Sequence, residues 1–471
     1  MRKLLFTCLS ACVGIGFGQT FDLVLTNGRV MDPESGLDAV RHIGIRAGRV
    51  ESISATPING RAVVDVRGLV VAPGFIDLHS HGQDAENYAF KAHDGVTTAL
   101  ELEIGVSPVA PWYAERSGKA LIHFGASSGH VPARMKVMHD PGDFLPSGDA
   151  AHRVATDEEK LSVINAVRQG LDDGAMGIGF GIAYVPTAGR EEILRLFQLA
   201  GDRHLPVFVH MRGGGDSDGA IPPLQEVIAD AAATGAALHV VHLTSVCALK
   251  TATCLQMIEG AKRHGVDVTT EMYPYTASAT RIESAIYDGD WAQRTGGTYH
   301  DLQWVATGER LTPESFARYR KEGGAIIAHT IPEVAVRLGL TNPIVMFASD
   351  GRMANGKGHP RSAGTFARVL GLYVREQKVI TLTDALRRMT LLPAQRLEAS
   401  VPAMKNKGRI RVGADADITV FDADHVIDRA TFENPAQYSD GIRHVLVNGN
   451  FVVRDGKTVE GVYPGVGLRT K

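Results

Sequence analysis

Residues 73–81 read Pro-Gly-Phe-Ile-Asp-Leu-His-Ser-His and follow the apolar run of residues 68–72. The apolar pattern predicts a β-strand, and in a strand the side chains of His79 and His81 point to the same side. Two neutral imidazoles side by side can share a cation such as zinc. The pair alone is equally compatible with two solvated histidines at a strand end, so the rest of the chain must distinguish the two interpretations.

The composition is that of an ordinary globular protein. The chain has 471 residues, of which 44% are hydrophobic and 21% charged, which is enough for a large core and for two domains. Its formal net charge of −3 gives no indication of a nucleic-acid partner.

The first 19 residues have the pattern of an export signal. A basic pair at residues 2–3 precedes an apolar run over residues 4–17, and the small residue Gly18 stands just before Gln19. This run is too short for a membrane-spanning helix, which needs about 20 apolar residues. We therefore predict a signal peptide over residues 1–19 and a periplasmic or secreted protein. A buried first element is the alternative, and lipoprotein anchoring at Cys12 ranks second among the export routes.

The four cysteines fall into two groups. Cys8 and Cys12 lie in the predicted signal, whereas Cys247 and Cys254 lie in the body of the chain. Neither of the latter forms a Cys-x-x-Cys zinc pattern. We expect each to be a small, buried, apolar residue, and the sequence does not say whether the two meet.

Short runs that suit strands alternate with amphipathic stretches that suit helices through the middle of the chain. The strand candidates are residues 75–79, 96–104, 121–124, 176–180, 206–210, 238–242, 267–272, 325–329 and 344–348. The helix candidates are residues 157–171, 190–203, 222–234 and 251–264. This alternation predicts an α/β fold, a (β/α)8 TIM barrel over residues 73–402. Nine candidates for eight barrel strands mean that one is wrong or additional.

Both ends of the chain are rich in β-signals. Residues 20–72 contain short strand patterns separated by turns such as Asn27-Gly28, and residues 403–471 contain a hairpin pattern around Asn448-Gly449. Segments that flank a barrel can pair with each other. We therefore predict one small β-sandwich domain built from residues 20–72 and 403–471.

Acidic and histidine side chains stand at or near the ends of the predicted barrel strands, where barrel enzymes carry their active groups. Glu101 and Glu103 lie on one face by the period of two, and the strands ending at His210 and His242 each close in histidine. A single strand-end histidine is more often a satisfied core residue. Two of them, together with the His-x-His pair and an interior carboxylate, favour a metal site.

Asp350 follows the last predicted barrel strand, within Ser-Asp-Gly. A carboxylate there can take a proton from a water activated by a metal and deliver it to a leaving nitrogen. Without the four histidines, a plain turn would be the better interpretation of this tripeptide. With them, Asp350 is a candidate general acid and base.

Short motifs are spread over nearly the whole body of the chain, from residue 23 to residue 453. They include Gly-Val-Thr-Thr at residues 95–98, a Gly-rich stretch over residues 174–186, His-Met-Arg at residues 210–212 and Tyr-Pro-Tyr-Thr-Ala at residues 273–277. Ser-Asp-Gly at residues 349–351, His-Pro-Arg at residues 359–361 and residues 364–371 complete the set. With the histidines, these motifs resemble the amidohydrolase superfamily and, within it, the N-acyl-D-amino-acid deacylases, or D-aminoacylases.

The resemblance implies a hydrolase that contains one or two Zn²⁺ ions per chain and cleaves an N-acyl bond beside a D-configured centre. It implies that His210 and His242 hold the tighter metal and that His79 and His81 hold a second site. Asp350 would then be the general acid and base. The substrate is expected to be an N-acyl amino acid or a peptide-like molecule.

The resemblance also implies a set of substrate contacts. Arg361 stands where the family grips the substrate carboxylate, a task that suits a bidentate guanidinium. Tyr273 would contact that carboxylate or the developing oxyanion. The matching motifs add His359 and Arg212 as expected substrate-binding residues.

Two positions depart from the family pattern. The usual cysteine ligand of the second strand aligns with Ile104, so we expect Glu103, or in second place Glu101, to be the bridging ligand. A lysine that usually follows the sixth-strand histidine is replaced by Thr244. One carboxylate contact is therefore missing, and the substrate can differ from a simple N-acetyl-D-amino acid.

Other functions stay open at this point. They are a different amidohydrolase, either a cyclic amide or imide hydrolase or a dipeptidase for unusual linkages, and a non-catalytic barrel that binds ligands. The irregular segment of residues 286–311, which includes Trp291 and Trp304, is expected to form a lid over the site. A homo-oligomer is the expectation for its assembly.

Overall fold

The computed structural model describes residues 20–213 and 218–470. The predicted signal peptide, with Cys8 and Cys12, lies outside the described residues. Within them, none of the helices has the length and apolar character needed to cross a membrane.

Eight parallel strands form the barrel, and each pairs with the next along the chain. They are Phe75–Asp77, Val96–Val106, His123–Gly129, Ile178–Gly181, Pro206–His210, Ala237–Val240, Val268–Met272 and Val345–Phe347. The first and last strands meet just beyond their ends, where Ser80 and Gly351 form a parallel bridge. The Asp350 N–H also donates to the His79 carbonyl at 2.7 Å. The predicted barrel is confirmed.

The ninth strand candidate belongs to another sheet. Ala325–Ala328 pairs antiparallel with Ser278–Arg281 on one side and Leu302–Trp304 on the other. This small sheet has its own apolar core, which includes Trp291, Trp304 and Phe316. The interpretation of residues 325–329 as a barrel strand is therefore wrong, because an apolar run is equally suited to a separate core. We call residues 278–328 the insertion; they contain the segment predicted as a lid.

Helices cover the outside of the barrel, and two others, Trp291–Thr295 and Pro313–Glu322, lie in the insertion. The α-helices are Ala85–His93, Val109–Arg116, His130–Val137, Asp149–His152, Asp157–Asp172, Arg190–Asp202, Ile221–Thr234, Leu243–Cys247, Thr251–Arg263, Trp291–Thr295, Pro313–Glu322, Glu333–Thr341, Arg361–Arg368, Leu382–Met389 and Leu391–Leu397. The four predicted helices are among them, within a residue or two of their predicted ends. Thr156 caps one of these as a capping box: its Oγ1 accepts from the Glu159 N–H at 3.2 Å, and Glu159 accepts from the Thr156 N–H at 2.7 Å.

Strands from both chain ends form one nine-stranded sheet. They are Phe21–Asp32, Leu37–Arg46, Arg49–Ser54, Gly60–Asp65, Val70–Pro73, Ile418–Phe421, Ile442–Val447, Asn450–Arg454 and Lys457–Thr458. Val70–Pro73 pairs antiparallel with Ile418–Phe421 and so joins the two ends. An apolar core with members from both ends, among them Leu23 and Leu446, fills this domain. The predicted β-domain from both chain ends is confirmed.

Cys247 and Cys254 form a disulfide, with their Cα atoms 6.6 Å apart. Both are buried, as expected, but they are bonded to each other and are not two separate apolar residues. The backbone turns at Ala248, which has a φ of 43°. This turn folds the short helix Leu243–Cys247 back onto the helix Thr251–Arg263 and so brings the two cysteines together. The spacing of the cysteines in the sequence does not reveal this turn.

Candidate metal centre

The predicted metal ligands converge at the end of the barrel where the strands finish. They come from five different strands, and the convergence follows from the parallel sheet, because it brings every strand's carboxyl end to one mouth. The residues that meet there are His79, His81, Glu103, His210, His242 and Asp350. Except for the partly exposed His81 and His210, all are buried.

The Glu103 carboxylate lies at the centre of the four histidines. Its Oε1 is 2.8 Å from His210 Nδ1 and 3.4 Å from His242 Nε2. Its Oε2 is 3.0 Å from His81 Nε2 and 3.2 Å from His79 Nε2. Each oxygen therefore faces one histidine pair, which is the arrangement that a carboxylate bridging two metal positions requires.

Glu101 lies one pleat further back on the same strand and has a different contact. Both of its oxygens approach His81 Nδ1, at 2.9 and 3.0 Å. The Nδ1 position is the opposite side of that ring from the Nε2 that faces Glu103. Glu101 thus orients His81 from behind, in the way that outer carboxylates fix metal-bound histidines.

Asp350 joins the histidine cluster to Arg361. Its Oδ1 lies 3.3 Å from His81 Nε2 and 3.4 Å from His79 Nε2, whereas its Oδ2 lies 2.9 Å from Arg361 Nη1. The residue has a φ of 51°, in the left-handed region that non-glycine residues seldom adopt. Such strain at a cluster of polar groups is typical of functional positions.

The charge and donor atoms of this cluster suit a divalent metal. Two groups of ligand atoms, one of His79, Glu103 and His242 and one of His79, His81 and Asp350, each lie within 4.8 Å of one another. Burial alone would lower the pKa of His79, but Asp350, Glu103 and Glu271 raise it to about 10. The carboxylates around His79 therefore favour a positive charge at this site. Imidazole and carboxylate donors around such a charge are what Zn²⁺ binds.

Arg361 and Tyr273 form one wall beside Asp350. The guanidinium lies over the Tyr273 ring at 4.4 Å from its centre. The Tyr273 hydroxyl and Arg361 Nε are buried and have no hydrogen-bond partner of good geometry among the described residues. Burial raises the pKa of Tyr273 to about 12, against the opposing effect of Arg361, so its hydroxyl remains a donor. These polar atoms are available to a ligand.

His359 holds this wall in place. Its Nδ1 accepts from the Arg361 backbone N–H at 3.0 Å, and its Nε2 donates to the Ala277 carbonyl at 3.0 Å. Burial, together with the neighbouring Arg361 charge, holds its pKa well below the usual value, so the ring is neutral. Both ring nitrogens are therefore engaged by the protein, and His359 orients Arg361 where the sequence predicted a substrate contact.

The structure does not bring Arg212 to this cluster. Its guanidinium donates to both oxygens of Glu226, at 2.9 and 3.1 Å, and to the carbonyls of Pro186 and Ala188. Pro186 and Ala188 lie in the loop before the helix Arg190–Asp202, and Glu226 lies in the helix Ile221–Thr234. The position at a strand end is as predicted, but the side chain turns away because Glu226 is its charge partner.

Comparison with known proteins gives the family. The sequence model described as "Amidohydrolase family" matches residues 62–453. The chain belongs to the amidohydrolase family. This amidohydrolase is 32% identical to an N-acyl-D-glutamate deacylase of Alcaligenes xylosoxydans xylosoxydans, over 92% of the chain and 93% of the relative. It is 28% identical to the D-aminoacylase of that organism, over 92% and 94%.

Solved structures agree with this assignment. The N-acyl-D-glutamate deacylase of Bordetella bronchiseptica, in complex with zinc and a phosphonate inhibitor that mimics the reaction's tetrahedral intermediate, is similar with a TM-score of 0.82 and 28% identity. The likeness covers 96% of this chain and 100% of that one. D-aminoacylase, whose metal centre is described as binuclear, is similar with a TM-score of 0.81 and 25% identity.

Two buried charged residues of this amidohydrolase were missed in the sequence, one that contacts His79 and one that lies behind the site. Glu271, in the strand Val268–Met272, lies 2.7 Å from His79 Nδ1 and 3.3 Å from His239 Nε2. Lys91 lies 2.9 Å from the Asp77 carboxylate, below the ends of the first and last strands. A carboxylate inside a barrel strand was a usable signal for Glu271. Lys91 offered none, because helical lysines are normally exposed.

Proposed function

We propose that this amidohydrolase is a zinc-dependent hydrolase of a C–N amide bond and that it deacylates N-acyl-D-amino acids. The observation that carries the proposal is the Glu103 carboxylate between two histidine pairs, with Asp350 and Arg361 beside them. Similarity to an N-acyl-D-glutamate deacylase and to D-aminoacylase supports the substrate class.

The residues that would hold zinc are His79, His81, Glu103, His210 and His242. Bound there, zinc would polarise the amide carbonyl and make water a stronger nucleophile at neutral pH. The Asp350 carboxylate would take the proton from the attacking water and deliver it to the leaving nitrogen. Its pKa lies well below the usual range because Arg361 and His79 outweigh the effect of burial, so it begins the cycle as a base.

Arg361 and Tyr273 would bind the substrate next to Asp350. The free Nε–H of Arg361 suits the substrate carboxylate, since a charged N–H donor makes a strong hydrogen bond to a carboxylate. The Tyr273 hydroxyl would donate to the same carboxylate or to the oxyanion that forms on the carbonyl. Both groups are held rigidly, Arg361 by His359 and Tyr273 by the stacked guanidinium.

The test is hydrolysis of matched N-acyl-D- and N-acyl-L-amino acids by the zinc-loaded protein, with and without a chelator. We expect amide cleavage that prefers the D isomer and that the chelator abolishes. Hydantoins, dihydroorotate, and β-aspartyl and D-containing dipeptides belong in the same panel. If the protein cleaves these compounds and no N-acyl-D-amino acid, its activity is that of another amidohydrolase and not of a deacylase. Full activity of the protein after metal removal by the chelator would show that the reaction needs no metal.

We propose further that the protein is exported to the periplasm or secreted. The support is the signal pattern of residues 1–19 and the disulfide between Cys247 and Cys254, a bond typical of oxidising compartments. Fractionation of the host, with sequencing of the mature N-terminus, tests this. Membrane-bound protein that starts at a lipidated Cys12 would favour the lipoprotein route, and cytosolic protein that keeps residue 2 would overturn export. Homo-oligomerisation stays a prediction, and light scattering tests it by measuring the molar mass in solution.

A further inference from the structure

Lys91 carries a buried charge to which the mechanism above gives no role. It lies in the helix Ala85–His93 and is 1% exposed. Lysine is almost never fully buried unless it has a charge partner, and here the partner is Asp77, whose Oδ2 lies 2.9 Å from the Lys91 Nζ. Nζ also donates to the Ser349 hydroxyl. The ammonium group is thus directed at two side chains next to the ends of the first and last barrel strands.

The Asp77 carboxylate joins the first barrel strand to the segment that follows the last one. Its Oδ1 accepts from the Ser349 N–H at 2.9 Å, and its Oδ2 accepts from the Ser349 hydroxyl at 2.6 Å. That hydroxyl accepts in turn from the Gly351 N–H at 3.0 Å. Lys91 therefore contacts the two side chains that hold the backbone on both sides of Asp350.

The backbone of Asp350 needs such support because it is strained. Its φ of 51° lies in the left-handed region, and a non-glycine residue keeps that conformation only where its surroundings determine it. Its N–H donates to the His79 carbonyl at 2.7 Å, and its Oδ2 lies 2.9 Å from Arg361 Nη1. A shift of Ser349 or Gly351 would move the carboxylate away from these positions.

The substrate-binding wall is anchored by different contacts. Asp94 follows the same helix as Lys91, and its carboxylate accepts from the N–H groups of Phe366 and Ala367 at 2.8 and 2.9 Å. Both N–H groups belong to the helix Arg361–Arg368. Loss of the Lys91 ammonium leaves these bonds in place. It should therefore disturb the general base more than the guanidinium that binds the substrate.

We propose that Lys91 is a positioning residue for the hydrolysis. Through Asp77 and Ser349, it fixes the backbone that presents the Asp350 carboxylate to the attacking water. This inference rests on the proposed deacylase function and adds to it a residue outside the site. A misplacement of about 1 Å can lower a rate by about 10²-fold, whereas substrate binding depends on Arg361. Lys91 should thus affect kcat and not KM.

The experiment measures kcat, KM and zinc content for Lys91→Met, which replaces the ammonium by an apolar group of similar length. With the full zinc-loaded chain and the best N-acyl-D-amino acid, we expect kcat to fall by about 10- to 100-fold. KM and zinc content should stay at their wild-type values. Ser349→Ala removes the hydroxyl without removing a charge and should give the same result. The double variant should lose little more kcat than either single variant, because both changes break one connection.

Lys407→Met is the matched control. Lys407 is 3% exposed, and its Nζ lies 2.6 Å from the Asp417 carboxylate. Asp417 in turn contacts His123, the first residue of the third barrel strand. This buried pair therefore lies at the end of the barrel opposite the metal ligands. Lys407→Met should destabilise the fold in the same way as Lys91→Met, but it should keep the wild-type kcat.

Amide hydrogen exchange gives a measurement that needs no substrate. The N–H groups of Asp350 and Gly351 are both bonded within the connection described above. A peptide that covers residues 345–351 should exchange faster in Lys91→Met and in Ser349→Ala than in wild type. It should be unchanged in Lys407→Met. A peptide that covers the strand Ile418–Phe421 should be unchanged in Lys91→Met and Ser349→Ala, which shows that the fold is intact.

The outcomes separate this inference from the proposed function. Wild-type kcat in Lys91→Met would overturn the inference, and so would an equal loss of kcat in Lys407→Met or a loss that follows zinc content. If Lys91→Met does not fold, Ser349→Ala decides by the same criteria. If zinc-loaded wild type cleaves no N-acyl amino acid, the deacylase function fails. The exchange of residues 345–351 then decides alone whether Lys91 positions Asp350.

Discussion

The Nδ1 of His79 lies 2.7 Å from the Oε1 of Glu271, and both side chains are buried in the barrel interior. The other Glu271 oxygen lies 3.3 Å from His239 Nε2. Because Nδ1 is engaged by a carboxylate, the Nε2 of His79 is left to face Glu103 and Asp350. A carboxylate behind a ligating histidine fixes its ring orientation and raises its basicity.

Glu271→Ala should therefore weaken metal binding without removing any ligand. We expect a loss of about 10- to 100-fold in zinc affinity, measured by competition with a chromogenic chelator. Glu271→Gln keeps an acceptor oxygen and should lose less. Glu192→Gln is the control, because Glu192 is an equally buried glutamate that pairs with Arg134 and His130 away from the site. Unchanged zinc affinity in Glu271→Ala would show that His79 needs no such support.

Glu103 and Glu101 should differ in their effect on metal content. Glu103→Ala removes the carboxylate that faces both histidine pairs, and we expect it to lose at least one zinc per chain relative to wild type. Glu101→Ala removes only a contact to His81 Nδ1 and should keep the wild-type number. Elemental analysis of the three proteins after the same zinc loading gives the answer. If only Glu101→Ala loses zinc, Glu101 and not Glu103 is the bridging ligand.

Asp350→Asn should reduce kcat by about 10²- to 10⁴-fold, the usual contribution of a general acid and base, and leave the fold intact. The amide is nearly isosteric and keeps an acceptor for Arg361, but it cannot take a proton. Stopped assays with the best N-acyl-D-amino acid measure this, with circular dichroism as the check on folding. A loss confined to KM would mean that Asp350 only positions the substrate.

Arg361→Lys tests carboxylate recognition. Lysine keeps the charge but loses the paired N–H groups and the stacking on Tyr273. We expect KM to rise more than tenfold for an N-acyl-D-amino acid. The matched substrate whose carboxylate is replaced by a neutral amide should show a much smaller change. An equal effect on both substrates would contradict a carboxylate contact.

The fold was largely predictable, because the period of hydrophobic residues reports which face of a strand or helix is buried. All eight barrel strands were among the candidates, as was the pairing of both chain ends. The exception, Ala325–Ala328, is an apolar run in a second core. The local hydrophobic pattern cannot distinguish a strand of the barrel core from a strand of the insertion core, because both cores are built from apolar residues.

The positions of site residues were predictable where the end of a strand alone decides where the side chain lies. They were not predictable where a partner from another part of the chain turns the side chain elsewhere. His79, His81, His210, His242, Glu103 and Asp350 meet because parallel strands end at one mouth. Arg212 also stands at a strand end, but its partner Glu226 lies on a later helix. His359 turned out to support Arg361 because its two ring nitrogens have protein partners that no motif encodes.

A buried ion pair outside the site should make stability depend on pH. Burial alone would raise the pKa of Glu192, but His130 and Arg134 lower it from 4.5 to about 2. Because the folded state favours the charged form, this stabilisation is complete above pH 4.5 and is lost as the pH falls toward 2. The free energy of unfolding of wild type should exceed that of Glu192→Gln by up to about 3 kcal/mol at pH 7. Urea unfolding at several pH values should show this difference shrinking below pH 4.5. A constant difference would contradict the assigned pKa.

The shared sheet has a consequence for the order of synthesis. Val70–Pro73 leaves the ribosome early, but the strand that completes its pairing, Ile418–Phe421, is made only after the entire barrel. Until then one edge of the N-terminal half-sheet has open backbone donors and acceptors, which invite pairing with other chains. Correct folding therefore requires that incomplete chains stay apart until the C-terminal strands are available to pair with the N-terminal ones.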